Sequence, residues 1–107
     1  TNLGHNSITF MLERQVEYAV NALAGMHERN AAALELKPAA QERFNRDLQR
    51  DLEKTTWADP HCRSWYKNAA GHITQNWSSH TRDYAEATKT VKWDDYTTRE
   101  RKPVAAE

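Results

Sequence analysis

The side chains best suited to hold a metal ion in this sequence are one cysteine and five histidines. Cys62 directly follows His61, and the remaining histidines are scattered along the chain as His5, His27, His72 and His80. Zinc sites usually take ligands in pairs three or four positions apart, as in C-x-x-C or H-x-x-x-H. No two of these six residues have that spacing. We therefore predict no metal site.

Groups for covalent or acid–base catalysis are equally sparse. A pairing of Cys62 with a histidine has no local sequence signature, and a lone cysteine is more often buried and inert than reactive. Asp94 and Asp95 are adjacent, so their carboxylates point in different directions on any regular element. The three glycines, Gly4, Gly25 and Gly71, are too dispersed to form a glycine-rich dinucleotide-binding turn. We predict no catalytic residue in this chain.

The segment Gly4-His5-Asn6-Ser7 stands immediately before a strongly periodic helical stretch. Backbone N–H groups at a helix N-terminus carry partial positive charge and can bind an anion or a polarised carbonyl group. The same residues also suit an ordinary N-cap, in which Asn6 or Ser7 accepts a hydrogen bond from a backbone N–H one turn ahead. The spacing alone favours the N-cap.

Two large aromatic residues, Trp65 and Tyr66, are neighbours in an irregular polar stretch that follows Asp59-Pro60. Adjacent rings outside a periodic element serve either as a stacking surface for a ligand or as a plug for the hydrophobic core. The sequence leaves both interpretations open.

The composition describes a small and polar domain. The chain has 107 residues, of which 38% are hydrophobic, and its mean hydropathy is −0.98. We expect such a chain either to fold with marginal stability or to rely on another protein surface for part of its burial. Fifteen basic residues balance fifteen acidic ones, so we expect neither a nucleic-acid nor a membrane partner. One cysteine allows no internal disulfide, and no apolar run approaches the ~20 residues of a membrane span. We expect a cytoplasmic location.

Hydrophobic periodicity predicts two main helices. The first covers residues 8–29, with apolar residues at intervals of three and four: Ile8, Leu12, Val16, Ala19, Leu23 and Met26. The second covers residues 38–57, because Pro38 suits a first helical turn and a stripe follows it at Ala40, Phe44, Leu48 and Leu52.

The rest of the chain is predicted to be less regular. Leu34-Glu35-Leu36 alternates apolar and polar residues and suits a short extended segment. Residues 58–72 form a loop that carries Trp65, and residues 73–107 hold a short strand, a helix and a frayed tail, with the strand formed by His72 to Trp77. The expected class is α+β, mainly α with a small β element, in a single segment.

Taken in order, several segments resemble one protein family. The stretch from Leu3 to Ile8, with Phe10-Met11-Leu12-Glu13 after it, resembles the last FAD-domain segment of flavoprotein monooxygenases of the Baeyer–Villiger type. Cys62-Arg63-Ser64-Trp65-Tyr66, with Asn68 and Gly71, resembles their tryptophan-bearing loop. Their closing segment is matched by Asn76-Trp77, Tyr84 and Asp95-Tyr96. The resemblance implies a C-terminal fragment of a flavoprotein with two dinucleotide-binding domains.

The resemblance implies a parent enzyme that uses FAD, NADPH and O2 to insert one oxygen atom into a small ketone or heteroatom substrate. Both cofactors would be bound mainly by upstream domains of the same polypeptide, and the fragment alone would be inactive. The resemblance places two groups of residues at the cofactors. Gly4, His5, Asn6 and Ser7 would lie beside the flavin, and Trp65, Tyr66 and Asn68 in a mobile loop over the nicotinamide cofactor and substrate.

A second function fits the residues as well. The chain would then be a stand-alone helical interaction module without catalysis, which forms a homodimer through exposed apolar faces. The chain begins with Thr1 and not with methionine, which fits either a processed short protein or a piece of a longer one. An upstream G-x-G-x-x-G motif in the gene would favour the monooxygenase, whereas a start codon directly before Thr1 would favour the module.

Overall fold

The structure, a computed structural model, describes residues 7–102 of the chain. Those residues form three α-helices and one sheet of two strands, which places the chain in the α+β class. The helices are α1 (Ile8–Glu28), α2 (Pro38–Leu52) and α3 (Thr81–Thr88), and the strands are β1 (Ala31–Leu36) and β2 (Tyr96–Glu100). Short 3-10 turns cover Thr56–Ala58 and Trp93–Asp95. None of the described helices is long and apolar enough to cross a membrane.

A side-chain hydrogen bond defines the start of helix α1, and a change of backbone conformation follows its end. The Ser7 hydroxyl accepts a hydrogen bond from the Phe10 N–H at 3.3 Å, which satisfies one of the free N–H groups of the first turn. At the other end, Asn30 takes a left-handed conformation with φ of 51°, one that asparagine tolerates better than most residues. The chain then turns directly into β1.

The sheet corrects the prediction of a frayed tail after residue 96. Strand β2 pairs antiparallel with β1, from Leu36 opposite Tyr96 to Ala31 opposite Glu100, with an irregularity between Ala31 and Ala33. The alternating pattern of Leu34 to Leu36 predicted the end of β1. Strand β2 was missed because its residues are polar, although the β-branched Thr97 and Thr98 favour a strand.

The strand predicted over His72 to Trp77 is wrong. In this stretch Ile73 and Asn76 take part only in isolated bridges, and that of Ile73 is antiparallel with Lys67. The reason is local: the N–H and the C=O of Ile73 are both hydrogen-bonded to the side chain of Gln49 on α2, at 3.2 and 2.7 Å. Because the Gln49 side chain occupies both the N–H and the C=O of Ile73, a neighbouring strand cannot form ladder hydrogen bonds with these groups.

Helix α2 begins at Pro38, as predicted, but ends five residues earlier than the predicted boundary at 57. Thr55 ends it, since its hydroxyl and its N–H both donate to the Leu52 carbonyl, at 2.6 and 3.0 Å. The chain then forms the 3-10 turn that carries Trp57.

The hydrophobic core consists of two small clusters. Met11 of α1 and Tyr84 of α3 form the first. The second, which we call the α2 cluster, contains Leu48 and Leu52 of α2 together with Ile73. Trp77 packs against both clusters and joins them. Two clusters of this size bury little apolar area, which limits the stability that the chain can gain by itself.

Gly25 permits close packing of α1 against Trp93. A Cβ atom at this position would overlap the indole of Trp93. The guanidinium of Arg29 covers the same indole, with its central carbon 3.9 Å from the ring centroid. Trp93 is therefore held between the last turns of α1 and the cation that caps them.

Candidate functional site

The second half of the loop predicted over residues 58–72 forms a small hairpin with the residues that follow it. The Thr74 N–H donates to the Tyr66 carbonyl at 3.1 Å, and the Asn68 N–H donates to the His72 carbonyl at 2.9 Å. Gly71 lies at the turn with φ of 80°, a conformation that favours glycine. Residues 66–74, which we call the Trp-loop hairpin, therefore have a defined shape and not that of an open loop.

The hairpin is anchored to α2. Ile73 is 4% exposed and packs with Leu48 and Leu52, while two hydrogen bonds with the Gln49 side chain hold its backbone. One arm of the hairpin is thus fixed by both apolar and polar contacts.

A second anchor lies on the approach to the hairpin. The Lys67 ammonium donates to the carbonyls of Asp59 and Cys62, at 2.8 and 3.5 Å. The Asp59 carboxylate accepts from the His61 N–H at 2.7 Å and so fixes the turn at Pro60. Cys62 is partly buried in this turn.

Trp65 is the most exposed large hydrophobic side chain among the described residues, at 77%. One side of it is supported: its ring centroid lies 4.2 Å from that of Tyr66, with the planes at 31°. Tyr66 in turn contacts Trp57 edge-on, at 6.0 Å and 72°, and packs against the α2 cluster. Of the two interpretations that the sequence left open, the core plug fits Tyr66, and the stacking surface fits Trp65.

Asn68 shapes the turn. Its side-chain oxygen accepts from the N–H groups of Ala70 and His72, at 3.0 and 2.9 Å. The predicted contact of Asn68 with a cofactor stays a prediction, whereas this structural role explains why an asparagine suits the position.

The second predicted group of cofactor-binding residues is described only at its end. Gly4, His5 and Asn6 lie outside the described residues. Ser7 is the N-cap of α1, which confirms the N-cap interpretation for this residue. The first turn of α1 contains no acidic side chain, so its partial positive charge is not neutralised locally.

Comparison with known proteins supplies the family. The chain is 36% identical over 100 residues to the FAD-binding monooxygenase ktnD of Aspergillus niger, a match that covers 90% of this chain and 16% of that protein. It is 46% identical over 66 residues to a Baeyer–Villiger monooxygenase of Pseudomonas aeruginosa, which covers 62% of this chain and 12% of the relative. A Baeyer–Villiger monooxygenase of Streptomyces coelicolor is 31% identical over 97 residues, or 90% of this chain and 19% of the relative.

The chain belongs to the FAD-binding, Baeyer–Villiger monooxygenase family. The resemblance inferred from its segments is thereby confirmed. The chain spans less than a fifth of the length of these relatives, at 12–19%. No family model and no solved structure matches it.

Within this monooxygenase segment, the structure brings Trp65, Tyr66 and Asn68 into one hairpin region. Residues 7–102 contain no group of three or more His, Cys, Asp or Glu side chains arranged to hold a metal ion.

One feature of this monooxygenase segment has no local signal in the sequence. A cavity of about 360 Å³ lies between the three helices and the start of β2, and five aromatic rings line it: Tyr18, Phe44, Trp77, Tyr84 and Tyr96. The hydroxyls of Tyr18 and Tyr96 share a hydrogen bond at 2.9 Å. Burial, and then this bond, raise the pKa of Tyr18 well above its ordinary value. Residues separated by 78 positions form this bond, so only the tertiary fold reveals the cavity.

Proposed function

We propose that this chain is the C-terminal part of an FAD-dependent monooxygenase that consumes NADPH and O2. The observation that carries the proposal is the 36% identity over 90% of the chain to a protein named as an FAD-binding monooxygenase. The exposed, ring-supported Trp65 adds a surface suited to a planar ligand. The part of the chain described here lacks a dinucleotide-binding fold, so we expect no activity from this segment alone.

The bound cofactors supply the redox chemistry. FAD, with NADPH as reductant, supplies the electrons by which one oxygen atom of O2 enters a ketone or heteroatom substrate and the other leaves as water. The task of this segment is to position groups around that chemistry.

The geometry of Trp65 fits such a positioning role. Tyr66 supports one face of the indole, so the opposite face is left for a nicotinamide ring or an organic substrate. The anchored hairpin holds the supporting ring in place, and an indole laid over the reaction site would exclude water from it. Trp65 would contact the cofactor or the substrate, while Tyr66 and Asn68 would hold the indole and the turn in place.

The N-terminus of α1 has the partial positive charge that suits a contact with the reduced flavin. Helix α1 has 21 residues and no acidic side chain in its first turn, so the positive end of its dipole is available to an anion. The pyrimidine edge of a reduced flavin carries negative charge, and N–H groups near Ser7 would stabilise it. Gly4, His5 and Asn6 are proposed to continue this contact.

A stand-alone interaction module is the second candidate. The observation that favours it is the row of exposed aliphatic residues on α1. A flavin monooxygenase accounts for the same row, because its remaining domains would supply a surface to cover it.

The proposal is tested by the coupling of NADPH oxidation to product formation in the native polypeptide that contains this chain. Trp65→Ala removes the stacking surface, and we expect slower oxygenation with more NADPH lost to hydrogen peroxide, while FAD stays bound. Trp65→Phe is the matched control and should retain most of the coupling because it keeps a planar ring. Rates and coupling in Trp65→Ala equal to those of the wild type would remove Trp65 from the site.

A further inference from the structure

The cavity between the three helices and the start of β2, which we call the aromatic cavity, has the size of a small-molecule site. Its volume of about 360 Å³ lies at the lower end of the range of about 300–1,000 Å³ that such sites occupy. None of the described residues that line it belongs to the Trp-loop hairpin or to the first turn of α1. The contacts proposed for the flavin and the nicotinamide therefore do not account for it.

The walls of the aromatic cavity suit a flat, apolar ligand. The rings of Trp77 and Tyr84 meet edge to face, with centroids 5.3 Å apart and planes at 77°. The indole N–H of Trp77 already donates to the His80 carbonyl at 3.2 Å. Two small residues on facing helices, Ala40 of α2 and Ala87 of α3, leave the space between the rings open. A further aromatic ring could pack there in the same offset or edge-on manner.

The mouth of the cavity is also apolar. Phe44 and Leu36 both line the cavity, and they are 48% and 40% exposed. A ligand in the cavity would cover part of both side chains, and the removal of apolar surface from water favours binding.

The charged groups at the cavity favour an uncharged ligand. Lys92 and Asp95 both line it and carry opposite charges. The Asp95 carboxylate is paired with the Arg43 guanidinium at 2.6 Å. A ligand of either sign would have a like charge nearby, so the lining selects neither an anion nor a cation.

The Tyr18 and Tyr96 hydroxyls, 2.9 Å apart, are the polar feature of the lining that can orient a ligand. Two hydroxyl groups hold two protons, and the hydrogen bond between them uses only one. Burial raises the pKa of Tyr18 above its ordinary value, so its hydroxyl keeps its proton at neutral pH. The pair can donate a hydrogen bond to an oxygen atom of a ligand or accept one from it.

We propose that the aromatic cavity binds a small, uncharged aromatic molecule that carries a hydroxyl or carbonyl oxygen. Its ring would pack against Trp77, Tyr84 and Phe44, and its oxygen would form a hydrogen bond with the pair of tyrosine hydroxyls. The inference does not depend on the proposed function, because all the groups that would hold the ligand belong to this chain.

Titration calorimetry of the native full-length polypeptide with β-naphthol tests the proposal. NADPH is left out, so that no oxygenation consumes the probe. We expect saturable binding, and weaker binding of naphthalene, which lacks the oxygen. Replacing both hydroxyls, in the double variant Tyr18→Phe and Tyr96→Phe, should weaken the binding of β-naphthol about fivefold and leave that of naphthalene unchanged.

A second variant locates the probe. Ala87 is an exposed residue of α3 that lines the cavity, so Ala87→Phe places a ring in the space of the ligand. We expect it to weaken the binding of both probes by roughly tenfold or more. Ala39→Phe is the matched control and should leave binding unchanged, because Ala39 is an exposed residue of α2 outside the cavity lining.

The outcomes separate this inference from the proposed function. Binding that survives Ala87→Phe would lie elsewhere in the polypeptide and overturn the inference, as would a complete absence of binding, the result expected if another segment fills the cavity. If Ala87→Phe fails to fold, equal affinity of the double tyrosine variant and the wild type for β-naphthol would overturn it. A colourless protein that binds β-naphthol in the expected way would contradict the flavin function and support this inference.

Discussion

At the scale of single residues, Gly25 sets two physical effects against each other. Alanine is the better helix former and would favour a helix interior by about 1 kcal/mol. At this position, however, the added Cβ would overlap the indole of Trp93, and overpacking of this kind costs about 1–3 kcal/mol. The overlap is with a ring held in place by Arg29, so we expect the clash to decide the outcome.

We therefore predict that Gly25→Ala lowers the free energy of unfolding by about 1–2 kcal/mol. Urea unfolding measures the change. In a Trp93→Ala background the same substitution should become neutral or stabilising, because the clash is gone and only the helix propensity remains. Stabilisation by Gly25→Ala alone would show that the indole moves aside at little cost.

Some of the roles of single residues could be predicted from the sequence. Ser7 was recognised as a candidate N-cap because serine before a periodic segment has a defined local chemistry. The pair Trp65 and Tyr66 was singled out, but the sequence could not assign the exposed ring and the packed ring. That assignment depends on contacts of Tyr66 with Trp57 and with the α2 cluster, both of which belong to other elements of the fold.

At the scale of elements, the attachment of the Trp-loop hairpin depends on Gln49. Its side chain makes two hydrogen bonds to the backbone of Ile73. Gln49→Leu keeps the approximate volume and leaves both backbone groups without this partner. A partly buried polar group that loses its partner costs about 1–3 kcal/mol.

We predict that Gln49→Leu destabilises the protein by about 2 kcal/mol and loosens residues 66–74. Urea unfolding measures the first effect, and amide hydrogen exchange in the hairpin measures the second. Gln41→Leu is the control, since Gln41 is an exposed glutamine on the same helix, and surface substitutions usually change stability by less than about 0.5 kcal/mol. Unchanged exchange at Ile73 in Gln49→Leu would mean that apolar packing alone holds the hairpin.

The helices were easier to predict than the strands, for a physical reason. The apolar periodicity of residues 8–28 is local and survives in any tertiary context. Strand β2 depends on a partner sixty or more positions away, and residues 72–77 do not extend into a strand because a helix side chain takes the backbone hydrogen bonds of Ile73. Neither dependence can be read from a window of neighbouring residues.

At the scale of the whole molecule, the described residues have small cores and leave a row of aliphatic side chains exposed on α1, the α1 stripe: Ile8, Leu12, Val16, Val20 and Leu23. A contiguous row of this kind indicates that the protein depends on another surface to cover it. The low hydrophobic fraction of 38% predicted this dependence. The apolar periodicity in the sequence included four of these five residues and missed Val20, and it could not show which face of α1 packs internally. That choice follows from the positions of α3 and β1.

Because the chain belongs to the FAD-binding monooxygenases, other parts of such an enzyme would supply the surface that covers the row. The stripe, the N-terminus of α1 and the exposed Trp65 would then face parts of one larger enzyme. One purified protein is enough to test whether this chain is part of such an enzyme.

The most direct measurement is the visible absorbance spectrum of the native polypeptide that contains this chain, recorded before and after NADPH is added without oxygen. The account predicts a yellow protein with a flavin spectrum that NADPH bleaches and air restores. A colourless protein that also takes up no FAD when it is supplied would contradict the account and leave an interaction module as the function of this chain.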